Sequence, residues 1–460
     1  MTHNILLNAD SYKASHYLQY PPGTRYISSY IESRGGAFDQ TVFFGLQMFL
    51  KEYFTKPITQ ADVDEAEALL SVHGVPFNRP GWERIVHEHK GLVPVEIEAV
   101  PEGTVMPTRN VLVQVRNTDP QLPWLTSYLE TALLRAVWYP TTVATLSREC
   151  KKLLKRYLDE TADNTQGLLF KLHDFGARGV SSAESAAIGG LAHLVNFRGS
   201  DTLACLVAAN RYYSEPMAGF SIPAAEHSTI TVWGRDREFD AYANMIDQFA
   251  GHKKTFAVVS DSYDLWHAID EVWGNRLRER VEQCRGRLVV RPDSGEPVEI
   301  VNAVLRRLMD RFGHRINSKG YRVLPDYIRV IQGDGVSLAA IGEILEAMKQ
   351  NAFSADNIAF GMGGELLQKI NRDTLKFAMK ASAAEVDGQW QDVFKDPVTD
   401  RGKRSKKGRL ALVYGDGGYE SVRADQLQGR KNELRTVFRD GILLIDDTLL
   451  EIRKRADVDR

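Results

Sequence analysis

The 460-residue chain carries 58 lysine and arginine against 60 aspartate and glutamate residues, a formal charge of −2, and 43% of its positions are hydrophobic. That balance gives no global field to draw nucleic acid, and a chain of this length buries an ample core without staples. Cys150, Cys205 and Cys284 form no CxxC pair and no window approaches the roughly 20 apolar residues of a membrane span, so disulfides, a zinc knuckle and a membrane anchor are not expected and a reducing cytoplasm fits.

In chain order, residues 93 to 118 alternate apolar and polar side chains at period two around turn residues, which predicts antiparallel strands. From residue 167 onward, short apolar runs end in polar, Gly-containing turns and lead into helical patterns. LLFKLHDFGARG precedes SAESAAIGGLAHL, VNFRGSDT precedes LACLVAANRYY, and FAVVSDSYD precedes LWHAIDEVW. RLVVRPDSGEP, YIRVIQGDG and NIAFGMGG continue the rhythm with VEIVNAVLRRLMDRF, VSLAAIGEILEAMKQ and ELLQKI. About seven such βα units predict a parallel barrel, closed or nearly so. From 376 to 450, RLALVY, TVFRDG and ILLID read as strands again. The expected fold class is α/β: an irregular parallel α/β barrel over 166–374, beside an α+β domain rich in antiparallel strands, built from both chain ends, 1–165 and 375–460.

The loops after barrel strands share one face. Asp174 and Arg178, Asp201, Asp261, Arg291 with Asp293, Gly333 with Asp334, and Gly363 with Gly364 all fall at such ends. Turn-making explains any one of them; six successive strand ends of this kind point to a ligand site. In GMGGELLQKI, glycines opening a helix leave N–H groups free for an anion. KDPVTDRGKRSKKGR supplies the cations Lys395, Arg401, Lys403, Arg404, Lys406, Lys407 and Arg409. Few aromatics interleave, so phosphates of a small substrate are the better partner than nucleic acid. HDFG lacks a kinase's companion loops, no Walker loop is present, and the imidazoles of HEH at 87–89 point apart on a helix. SIPAAEHSTI leaves His227 open as core residue, metal ligand, base or nucleophile.

Taken in order, DSYKASHYLQYPPGT, KLHDFGARGVSS, IPAAEHSTIT, VVSDSYD, RPDSGEP, VIQGDGV, FGMGGELLQK, and VFKDP with KRSKKGRL resemble the nicotinamide phosphoribosyltransferase family, from Asn4 to the EIRKRAD near the C-terminus. The resemblance implies a type II phosphoribosyltransferase-like barrel. It also implies transfer of phosphoribosyl from phosphoribosyl pyrophosphate to nicotinamide, assisted by ATP and Mg2+, in NAD salvage. Nicotinamide would stack between Phe175 and Tyr12 of the partner subunit, with Asp201 accepting from its amide and Asp10 and Arg291 in the same site. Asp293, Gly333 and Asp334 would take the ribose hydroxyls. Arg178, Gly363 and Gly364 would take the 5′-phosphate, joined by Arg372 and Lys395 from the neighbouring subunit, and Arg34, Arg291, Lys380 and Lys403 the remaining phosphates.

His227, oriented by Asp261, would accept a phosphate from ATP and act with Asp293 and Arg291 as the catalytic set. Mg2+ is expected on substrate phosphates rather than on strong protein ligands. Asp10 and Tyr12 serving the opposite barrel imply a homodimer. The nearest alternative is nicotinate phosphoribosyltransferase, against which Asp201 and Tyr12 weigh, since a carboxylate at Asp201 repels nicotinate. A module without catalysis is disfavoured by the joint presence of His227, Asp261, Arg291 and Asp293. The chain departs from the animal enzymes at Ala177, Ala257 and Met362, as a bacterial-type member would.

Overall fold

The computed structural model describes residues 4–251, 254–399 and 404–459. Two sheets organise it. The first has seven antiparallel strands in the order Gln389–Asp392, Phe377–Val386, Thr24–Ser33, Val111–Asn117, Val95–Ala99, Arg435–Arg439 and Ile442–Leu443. Thr24–Ser33 lies against Phe377–Val386, with Tyr30 opposite Lys380, so the two ends of the chain are stitched into one sheet. Two of its hairpins turn on Asp387–Gly388 (φ 50° and 78°) and Asp440–Gly441 (φ 48° and 86°). Such left-handed pairs match the twist of the flanking strands, and Asp-Gly adopts them at low cost.

The second sheet is parallel and curls into a barrel in the order Gly199–Ser200, Leu172–Asp174, Ile358–Met362, Ile328–Gln332, Arg287–Arg291 and Thr255–Val259. A seventh stave closes the gap. Phe220 bridges to Gly199 and Ala224 to Ala257, both in parallel sense. Ser200 N donates to Phe220 O at 3.1 Å and Ala225 N to Ala257 O at 2.9 Å. Pro223 has no N–H for the ladder, which keeps this stave irregular. The expected barrel is therefore present, with strands shorter than the sequence pattern implies: three residues in Leu172–Asp174 and two in Gly199–Ser200.

Most of the anticipated helices follow: Ala183–His193, Leu203–Tyr213, Pro297–Phe312 and Leu338–Gln350. Ser182 and Ser337 start two of them by accepting from Ser185 N and Ala340 N. LWHAIDEVW instead runs from a short α-turn, Leu265–His267, into the π-helical Ala268–Arg276, and ELLQKI yields only the single turn Gly364–Leu367. Inside the barrel, Ala257, Val289 and Ile331 pack with Ile222 and Ala359 beneath the ring of Phe175.

The 32-residue helix Glu130–Thr161 is the spine between the two layers. Its first turns put Leu133 and Val137 under the antiparallel sheet, and its later turns put Val143, Leu154 and Leu158 against the barrel. Burial of each such side chain is worth about 1.5–3 kcal/mol. That packing outweighs the break Pro140 makes in the helical hydrogen-bond ladder. Among the described residues no helix is long and apolar enough to cross a membrane.

Candidate active site

Because the barrel strands are parallel, the loops after them form one rim, and hydrogen bonds run along it from stave to stave. Asp174 is fully buried, and burial raises its carboxyl above the ordinary range against the hydrogen bonds it accepts. It accepts from Gly176 N at 2.7 Å and from Ser200 Oγ at 3.2 Å, while its own carbonyl accepts from Asp201 N at 3.0 Å. Phe175, next in the chain, donates its N–H to Met362 O at 3.0 Å. Its ring lies across the adjacent strand: a Cβ added to Gly361 would stand 2.0 Å from Cε2, so only glycine leaves the ring its place. Arg178 sits on the turn Ala177–Gly179, whose Gly179 lies against Gly364.

The Asp201 carboxylate accepts from the Ser221 hydroxyl on the irregular stave. Asp201 therefore does not cap the helix that follows, whose N-cap is Thr202. Five residues after Ser221 the same stave ends at Glu226, and His227 opens a short helical turn. His227 Nε2 lies 3.0 Å from Asp261 Oδ1, and His227 Nδ1 lies 4.0 Å from Asp293 Oδ2. The second oxygen of Asp261 is held by Asp293 N at 3.2 Å and Ser294 Oγ at 2.5 Å. Arg291 grips Asp293 with two parallel bonds, Nε to Oδ1 at 3.1 Å and one terminal nitrogen to Oδ2 at 2.7 Å. Gly333 completes the circuit: a Cβ there would be 3.5 Å from the Phe175 ring and 3.7 Å from Asp293 Oδ1.

His227, Asp261, Arg291, Asp293, Gly333, Asp334, Gly363, Gly364, Phe175, Arg178 and Asp201 thus occupy one rim. The remaining candidates do not join it within this chain. Asp10 exchanges hydrogen bonds with Thr131 Oγ1 (2.7 and 3.2 Å) and precedes the turn bearing Tyr12, whose ring is 57% exposed. Arg34 and Lys380 lie on the antiparallel layer, Arg372 on the exposed turn Arg372–Thr374, and Lys395 on the segment crossing that layer. Burial, together with Arg34, Lys13 and Lys395, draws the Lys380 ammonium below its ordinary range against the pull of Glu130. Lys403 lies outside the described residues.

Sequence reasoning missed Ser221 and Ser294. Ser221 opens the very stretch that holds His227, and Ser294 follows Asp293; serine is so common in turns that neither gave a signal. Among the described residues no group of three or more His, Cys, Asp or Glu side chains could hold a metal ion.

The barrel and its rim define a type II phosphoribosyltransferase architecture. The fold aligns with solved structures of nicotinate-nucleotide pyrophosphorylase from Pyrococcus furiosus (TM-score 0.61, 16% identity, 98% of this chain and 95% of that one) and human nicotinic acid phosphoribosyltransferase (TM-score 0.57, 17% identity, 97% and 92%). Residues 170–442 match the nicotinate phosphoribosyltransferase (NAPRTase) family, and residues 4–97 match the nicotinamide phosphoribosyltransferase N-terminal domain. A nicotinamide phosphoribosyltransferase of Xanthomonas campestris pv. campestris is 54% identical over 464 residues, 99% of each chain. Another from Acinetobacter baylyi is 32% identical across 98% of this chain and 96% of its own. The chain is a pentosyltransferase and belongs to the nicotinamide phosphoribosyltransferase family.

Proposed function

We propose that this enzyme transfers phosphoribosyl from phosphoribosyl pyrophosphate to nicotinamide, giving nicotinamide mononucleotide and pyrophosphate for NAD salvage. The observation that carries the reading is the Asp201–Ser221 pair, tied through Asp201 N to the carbonyl of Asp174 that precedes Phe175, on the same rim as Arg178 and the Gly363–Gly364 turn. A flat pyridine stacks on Phe175 at little entropic cost, and an ionised carboxylate accepts from an amide NH2 but repels a second carboxylate. This weighs against nicotinate as the substrate.

In the reaction, the pyridine nitrogen forms a bond to the anomeric carbon as the bond to pyrophosphate breaks, through an oxocarbenium-like state. Asp293 and Asp334 suit the ribose hydroxyls, and Asp293 also places negative charge near the developing cation. Arg178 with the N–H groups of Gly363 and Gly364 suits the 5′-phosphate. Tyr12 of the partner subunit would close the aromatic slot. The partner subunit's Arg34 and the partner's Lys380 would meet the departing pyrophosphate beside Arg291, and the partner's Arg372 and the partner's Lys395 would join the 5′-phosphate, which requires a homodimer. Mg2+ would arrive on the substrate phosphates.

ATP assistance would run through His227. With Nε2 bound to Asp261, Nδ1 carries the lone pair. Nδ1 attacks the γ-phosphorus, the N–P bond forms, the P–O bond to ADP breaks, and Asp261 stabilises the positive ring. Incubation with nicotinamide and phosphoribosyl pyrophosphate tests the whole reading: nicotinamide mononucleotide and pyrophosphate should appear in equal amounts, faster with ATP. Absence of the mononucleotide would defeat it.

A further inference from the structure

The cations of the antiparallel layer are spaced by two carboxylates. Glu130 binds the ammonium of Lys13 and lies 3.9 Å from that of Lys380. Glu32, only 4% exposed, accepts from Arg34 Nε at 2.9 Å through one oxygen and takes the Lys406 ammonium through the other. Lys406 is held further, its ammonium donating to Arg109 O at 2.6 Å and its backbone N–H to Tyr30 Oη at 2.8 Å. One residue earlier, Ser405 exchanges hydrogen bonds with Lys395: Ser405 N to Lys395 O at 3.0 Å and Lys395 N to Ser405 Oγ at 2.9 Å. Glu32 thus anchors both the arginine of the central strand and the crossing segment that carries Lys395.

Among the described residues this patch sets five cations against two carboxylates, and one donor is left over. Arg34 Nη2 is buried with no hydrogen-bond partner among the described residues. With Nε committed to Glu32 and Nη2 enclosed, only the small exposed part of the Arg34 side chain, 16%, is left to meet a phosphate, so the hold of Glu32 decides where that part stands. Glu32 is too enclosed to touch the ligand and carries the wrong charge to bind it.

We propose that Glu32 is a positioning residue for the phosphate groups of phosphoribosyl pyrophosphate, fixing Arg34 and the Lys395–Lys406 segment at a set spacing. This rests on the proposed phosphoribosyl transfer. Glu32→Gln keeps the shape but loses the charge that two cations share. The expected result is a KM for phosphoribosyl pyrophosphate raised about tenfold, with the KM for nicotinamide within about twofold of wild type. Glu32→Asp, which keeps the charge, should recover much of the loss. Inorganic pyrophosphate should raise the melting temperature of the wild type and do so much less in Glu32→Gln. Added to Arg34→Ala, Glu32→Gln should raise the substrate KM by clearly less than it does in the wild type, since one of its two partners is gone.

An active Glu32→Gln with an unchanged KM for phosphoribosyl pyrophosphate would overturn the proposal, as would equal rises in both KM values or additive effects with Arg34→Ala. If Glu32→Gln does not fold, Lys406→Met decides, because it removes the cation through which Glu32 holds the crossing segment: a selective rise in the phosphoribosyl pyrophosphate KM supports the proposal and an unchanged value overturns it. A wild type that makes no mononucleotide condemns the functional reading instead. Pyrophosphate stabilisation lost in Glu32→Gln would then still support the anion-positioning role, and its absence from the wild type would overturn that role as well.

Discussion

His227 and Asp261 meet at 3.0 Å through Nε2 and Oδ1, and the opposite oxygen of Asp261 is pinned by the Asp293 N–H and the Ser294 hydroxyl. The carboxylate therefore cannot turn away from the imidazole without breaking two other bonds. Under the proposed ATP step, His227→Ala should incorporate no acid-labile phosphate from γ-labelled ATP. Asp261→Asn should lower the labelling rate by roughly 10- to 100-fold, the usual cost of losing a partner that orients a reactive imidazole. Full labelling of His227→Ala would place the phosphate elsewhere.

Gly361 sets the seat of Phe175. An added methyl would collide with the ring at 2.0 and 2.1 Å, so Gly361→Ala should cost about 1–3 kcal/mol of stability and raise the KM for nicotinamide by about tenfold or more. Gly342, in the helix Leu338–Gln350, has only Leu153 within 4 Å of such a methyl, at 3.7 Å. Gly342→Ala should leave both KM values unchanged and gain about 0.5–1 kcal/mol. Calorimetry and steady-state kinetics on the pair separate ring displacement from general damage.

If Tyr12 and Phe175 of different subunits face one ligand, two inactive variants should rescue each other. Tyr12→Ala and Phe175→Ala homodimers should each be nearly inactive. After subunit exchange in an equal mixture, about a quarter of the sites have both rings intact, so about a quarter of wild-type activity should return. No recovery despite exchange, followed by native mass spectrometry, would contradict a shared site.

Glu102 couples the layers. It accepts from Gly45 N at 3.1 Å, Gln47 N at 2.8 Å and the Tyr213 hydroxyl at 2.9 Å, and burial pushes its carboxyl up to about 7. A folded value above the unfolded one means the native state holds the proton more tightly. The contribution is full below the unfolded value of 4.5 and is lost as pH rises through about 7. Wild type should therefore lose on the order of 2–3 kcal/mol relative to Glu102→Gln between pH 5 and pH 8. Urea unfolding of both proteins at the two pH values checks this; a constant gap would contradict it.

The barrel was legible because each strand ends in a turn and a helix follows, and the rim because its Asp, Arg and Gly residues sit at those ends. Thr24–Ser33 was not legible: its last seven residues are buried on both faces, which erases the alternation that marks a strand. The closing stave at 220–225 was hidden by Pro223, which argues against a strand on local grounds and is tolerated because only two bridges are made there. Nor did sequence patterning reveal the spine helix, where Pro140 and the β-branched run Thr141–Val143 oppose helix formation and two buried cores override them. Among the site residues, Arg34 was named but Glu32, which holds it, was not. A glutamate in a strand gives no sign in the sequence that it will be buried between two cations.

The central claim is that the rim beside Asp201 and Phe175 takes nicotinamide and phosphoribosylates it. Its most direct test is kcat/KM for nicotinamide and for nicotinate, measured side by side on the wild type and on Asp201→Asn. The wild type should prefer nicotinamide, and Asp201→Asn should narrow the preference by about tenfold, as removal of one like-charge repulsion allows. Preference for nicotinate in the wild type, or an unchanged ratio in Asp201→Asn, would contradict the account.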